Sequence, residues 1–75
     1  MAEGNVFNMP LATIHVKDSI IDGTASKSTV MGVDLETGEI LASEDVEWRI
    51  FGAGERVDEI RSMSRRLRIR GYKTI

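Results

Sequence analysis

Apolar residues return every three or four positions between Val57 and Leu67 (Val57, Ile60, Met63, Leu67), which places them on one stripe of a helix. The spacing predicts a helix that starts at Gly54 and stops at Gly71, where a left-handed C-terminal cap belongs. Glu55, Asp58 and Glu59 lie in its first turns and Arg65, Arg66, Arg68 and Arg70 in its last, an order that suits the helix dipole at both ends. The alternation in Arg66–Arg70 (RLRIR) also fits a strand, and Ile69 lies off the apolar stripe of a continuous helix. The helix is the preferred reading, because it gives Gly71 a role. Tyr72–Ile75 reads as a short closing strand.

Upstream of Gly54 the period changes to two. Pro10 cannot donate to a sheet ladder, so pairing should begin after it, and residues 1–9 read as frayed. Leu11–Lys17 is the first strand, with Ala12, Ile14 and Val16 on one face; Ser19-Ile20-Ile21 extends it past an irregularity. Asp22-Gly23 is a turn, and Thr24–Ser28 (TASKS) is expected to be a mobile polar loop. Thr29–Asp34 is the second strand, and Gly32 within it signals a bulge or a close approach. Asp34–Gly38 turns the chain, with Gly38 at positive φ. Glu39–Ala42 is the third strand, Ser43–Asp45 a second turn, and Val46–Phe51 the fourth strand. The sum is one small α+β domain over residues 1–75. A three- to four-stranded antiparallel sheet carries one C-terminal helix on one face, and Trp48, Ile50, Val57, Ile60, Met63 and Leu67 form the expected core.

A chain of 75 residues buries about 60% of its unfolded surface, so the core is marginal and self-association is expected. With no cysteine and one histidine, neither a disulfide nor a zinc cluster can form. The acids at 18, 22, 34 and 36 lack the spacing of a calcium loop. No metal and no cofactor is expected. The start of the chain has neither the charge nor the apolar length of a signal peptide or membrane span, and a cytoplasmic setting is expected.

Two features test the chain for catalysis. His15 is the only group with an ordinary pKa near neutrality, but Asp18 and Ser19 lie about 10–14 Å along the same strand. It reads as a hydrogen-bonded strand residue. Gly52-Ala53-Gly54 precedes a helix but lacks the third glycine of a dinucleotide fingerprint and the lysine of a P-loop. It reads as a connector. No enzyme is expected.

Charge changes the picture more. Residues 1–48 hold nine acids against two bases, a net of −7; residues 49–75 hold eight bases against three acids, a net of +5. One reading neutralises the basic helix against the acidic sheet, within the fold or across a dimer. The other gives the helix an anionic partner. Arg61, Arg65 and Arg68 fall on one flank of the apolar stripe, and like charges four apart are unfavourable in an isolated helix. The candidate binding residues are therefore Arg61, Arg65, Arg68, Arg70 and Lys73. The first expectation is contact with nucleic-acid phosphates; the alternative is a protein–protein or dimerisation module.

Overall fold

The computed structural model describes residues 9–75. Three strands of ten residues each form an antiparallel meander: β1 (Leu11–Ile20), β2 (Ala25–Asp34) and β3 (Ile40–Arg49). The chain then crosses the sheet as α1 (Gly54–Ile69) and ends in β4 (Lys73–Thr74), which pairs parallel with Leu11 and Ala12. The strand order is β3-β2-β1-β4, so the sheet is mixed, with the helix packed on one face. This is the expected α+β domain with a short final strand. The fraying expected of residues 1–8 lies outside the described residues.

Two segments read as turns are strand instead. The small polar run expected to be a mobile loop over Thr24–Ser28 is strand from Ala25 onward, paired with β1 on one side and β3 on the other. Ser26 and Ser28 point to the helix side and are buried, and the Ser28 hydroxyl has partners there. Pairing on both edges overrides the local turn preference of such residues. Ser43–Asp45 likewise continues β3. Its charged residues alternate between faces, and each finds a partner: Glu44 meets Arg66, while Asp45 accepts from Thr29 at 2.7 Å and pairs with Lys27 at 3.5 Å. The expected third and fourth strands are one strand.

Gly32 signalled a bulge or a close approach, and it has both. The β2–β3 register shifts between Gly32 and Val33, and a Cβ on Gly32 would stand 2.7 Å from a Leu67 methyl carbon. Ala12, Val30, Met63 and Leu67 are fully buried, with Ile14, Val16, Leu41, Ala42, Ile60 and Tyr72 packed around them. Three expected core residues, Trp48, Ile50 and Val57, are absent from this cluster. Val57 is 41% exposed, because it lies at the edge of the helical stripe, and Ile50 is 40% exposed, because it follows the end of β3. Trp48 is half-buried and caps the end of the core through Ser28.

Arg66–Arg70 belongs to the helix and its cap, which ends as Gly71 predicts. The Gly71 N–H bonds the Arg68 carbonyl and the Tyr72 N–H bonds the Leu67 carbonyl, both at 3.0 Å, with Gly71 at φ +94°. This is the Schellman pattern, and Tyr72 packs against the core beside it. Gly38 has φ +79° and donates to the Asp34 carbonyl at 2.8 Å. Gly38→Ala is therefore expected to destabilise the domain by about 1 kcal/mol or more. Gly52→Ala, at an ordinary φ with open space around it, should be neutral or slightly stabilising. Urea midpoints of the two variants check the contrast.

Candidate anion-binding flank

The helix arginines divide by the side on which they leave the helix. Successive residues turn by about 100°, so Arg61 and Arg68 share a side with Val57 and Ser64, whereas Glu59, Arg66 and Arg70 share the other, and Arg65 stands on the outer face opposite the buried Met63 and Leu67. The Ser64 hydroxyl lies 3.4 Å from that of Thr74, which puts the first side toward β4 and the β1 edge. The second side faces β3. There Arg66 reaches Glu44 at 3.5 Å and Glu59 at 3.7 Å, and Arg70 donates to the Leu41 carbonyl at 2.7 Å.

Arg56 points into the sheet. It donates from Nε and Nη2 to the two oxygens of Asp18, each at 3.1 Å, and its guanidinium stands over the Trp48 ring, 5.9 Å from the centroid. The Trp48 indole donates to the Ser28 hydroxyl at 2.7 Å, and Ser28 donates to Asp18. This chain of four side chains fastens the helix start to β1, β2 and β3. No short-range pattern announces it: Arg56 and Asp18 are 38 residues apart.

Part of the charge asymmetry is therefore settled inside the fold, through Arg56–Asp18 and Arg66–Glu44. Among the described residues, Arg61, Arg65 and Arg68 have no carboxylate within ion-pairing distance, and all three are exposed. Lys73 is exposed on β4 and alternates with Thr74, so it stands at the same edge but on the sheet face away from the helix. Arg70 is separated from the row. Its guanidinium is held on β3, across the helix from the other candidates. The structure thus spreads the candidates: Arg61, Arg65 and Arg68 lie exposed on the helix, Lys73 on the opposite face of the sheet, and Arg70 toward β3.

The remaining candidate groups have structural partners or none. His15 is exposed on the uncovered sheet face and makes no side-chain hydrogen bond among the described residues, because it points to solvent rather than to a neighbour. Asp22 accepts from the Thr24 and Ala25 N–H groups, and Asp34 accepts from those of Glu36 and Thr37; both carboxylates stabilise turns. Among the described residues no helix is long and apolar enough to cross a membrane.

Hydrogen bonds from Arg56, and then from Ser28, hold the Asp18 carboxyl below its ordinary value. Asp22, Asp34 and Asp45 are also lowered, chiefly by the Thr24 N–H, the Thr37 N–H and the Thr29 hydroxyl respectively. A carboxyl whose pKa is depressed by folding contributes stability that is complete above its unfolded value, about 4, and is lost as pH falls through the folded value. Acid unfolding should therefore develop below about pH 4. Asp18→Asn should lower stability at neutral pH and make it fall less steeply in acid. Urea unfolding at a series of pH values reads both effects.

No protein family matches the chain, and no curated protein matches it. Among solved structures, the catalytic domain of human endonuclease V is similar at a TM-score of 0.49 and 12% identity, over 92% of this chain and 31% of that one. The chain thus spans about a third of the endonuclease domain, and a likeness at that level carries no argument about function.

Proposed function

We propose that the chain is a small, non-catalytic binding module that takes an anionic partner on the flank formed by Arg61, Arg65 and Arg68, with Lys73 at the edge below. The observation that carries this reading is the sorting of the arginines. Those facing the sheet have partners, and among the described residues Arg61, Arg65 and Arg68 have no carboxylate within ion-pairing distance. Arginine's planar fork suits carboxylate and phosphate alike. The lack of cysteine agrees with a reducing, cytoplasmic setting.

The surroundings favour an acidic polypeptide as the partner. A strand edge runs beside the row and offers main-chain donors and acceptors that a peptide can match. The overall charge of −2, with Asp45 and Glu47 exposed on β3, works against a long polyanion. Nucleic acid is the second reading, supported by three exposed arginines spaced four and three residues apart along the helix.

Salt titrations separate the two. Duplex binding should weaken with a log–log slope of about −0.9 per phosphate contact, and each of Arg61→Ala, Arg65→Ala and Arg68→Ala should flatten that slope by about 1. With an acidic peptide as ligand, the same variants should each weaken binding while duplex DNA fails to compete. If neither ligand binds at low salt, the flank is not a binding surface.

A further inference from the structure

The two long edges of the sheet are built differently. The outer edge of β3 carries Glu44, Asp45 and Glu47, is interrupted by the register shift opposite Gly32/Val33, and has its Leu41 carbonyl occupied by Arg70. Acidic side chains and a bulge are the devices by which sheets blunt an exposed edge. The outer edge of β1 has no bulge, and of its charged residues Lys17 is basic and Asp18 is held by Arg56. β4 covers only Leu11 and Ala12, and among the described residues Thr13–Ile20 pairs with β2 alone. That leaves eight residues, or about 26 Å, of open strand edge.

The helix leaves a shelf above this edge. It packs chiefly over β2 and β3, so Ile14 and Val16 of β1 are only half-buried. Val57, which the core does not take up, lies on the helix side facing the shelf, in line with Arg61. Below the edge, on the uncovered face, His15 and Lys17 alternate with the shelf residues, and Lys73 follows on β4. The only carboxylate on β1, Asp18, is bound by Arg56. An open edge is therefore bordered by basic side chains above and below, with an apolar floor.

We infer that the β1 edge is a receptor for an extended acidic segment of a partner protein, which adds as a strand beside Thr13–Ile20 and continues the line of β4. Main-chain hydrogen bonds to β1 supply the register-free part of the affinity, and alternate side chains of the added strand meet the two faces. Apolar residues directed to the helix side rest on Ile14, Val16 and Val57, and carboxylates on that side reach Arg61. A second copy pairing β1 with β1 would bring two arginine rows together, which like-charge repulsion opposes. This inference rests on the flank being a binding surface and adds the mode of docking.

The test uses a fluorescein-labelled nine-residue peptide of alternating glutamate and valine, a same-charge peptide with proline at its central positions, and a single-stranded oligonucleotide of equal charge. Backbone amide shifts of the isotope-labelled protein are recorded with each. The alternating peptide is expected to bind at least tenfold more tightly than the proline peptide and to shift residues 13–20 while leaving 40–49 unmoved. Arg61→Ala with Arg65→Ala should weaken it at least tenfold with the fold unchanged by circular dichroism. Equal binding of the two peptides, with shifts confined to the helix, overturns strand addition but leaves the flank as a charge-only site. Binding of the oligonucleotide alone overturns it in favour of nucleic acid. Absence of all binding overturns both the docking mode and the flank. Concentration-dependent growth of the protein alone, with no peptide bound, overturns it in favour of another copy's acidic β3 edge as the occupant.

Discussion

Leu67→Ala is expected to lower the unfolding free energy by about 2–5 kcal/mol. A domain of this size has about 4–11 kcal/mol in total, so the substitution should remove a large part of it. The reason is position. Leu67 is fully buried on the helix, beneath it lies Gly32 of β2, and Met63, Val30 and Ala12 close the cluster. Leu67 also supplies the carbonyl that accepts the Tyr72 N–H, so the residue joins the core to the helix cap. With only four fully buried apolar side chains in the cluster, no second core is available to take the load. Urea unfolding monitored by Trp48 fluorescence measures the loss.

Gly32→Ala is expected to cost about 1–3 kcal/mol, the usual range for overpacking a filled core. Its new Cβ would stand 2.7 and 2.9 Å from the two methyl carbons of Leu67. A leucine side chain at a surface could swing aside, but this one has no exposed surface to move into. The double variant Gly32→Ala/Leu67→Ala should cost less than the sum of the single ones, because the added methyl enters the space that Leu67 leaves. A coupling of about 0.5 kcal/mol or more is the expected result of that cycle. Strict additivity would mean that the two residues do not share the contact.

Periodicity and glycine placement made much of this legible beforehand. The stripe through Ile60, Met63 and Leu67 identified the helix face, and Gly38 and Gly71 marked two positive-φ positions because few other residues tolerate them. Gly32 announced the close approach. Composition misled where small polar or acidic runs read as breaks. In TASKS and in SED the deciding factor was β2–β3 pairing, which joins residues 12–24 apart and leaves no local trace. Val57 and Ile50 show the same limit from the other side. Both fit the apolar pattern, yet Val57 lies at the edge of the helical stripe and Ile50 follows the end of β3. For the flank, the helical wheel grouped Arg61, Arg65 and Arg68, and all three are exposed, with Arg65 on the outer face of the helix. It could not place Arg70 on β3 or Arg56 on Asp18, since those contacts span 29 and 38 residues.

The central claim is that one flank of the helix, and not its charge as a whole, is the binding surface. The most direct measurement compares the triple variant Arg61→Ala/Arg65→Ala/Arg68→Ala with Arg70→Ala, using fluorescence anisotropy with the acidic strand-forming peptide and with duplex DNA at low salt. The triple variant should lose peptide binding while keeping its circular dichroism and urea midpoint, and Arg70→Ala should bind as the parent does. Equal losses in the two variants, or undiminished binding by the triple variant, would contradict the account.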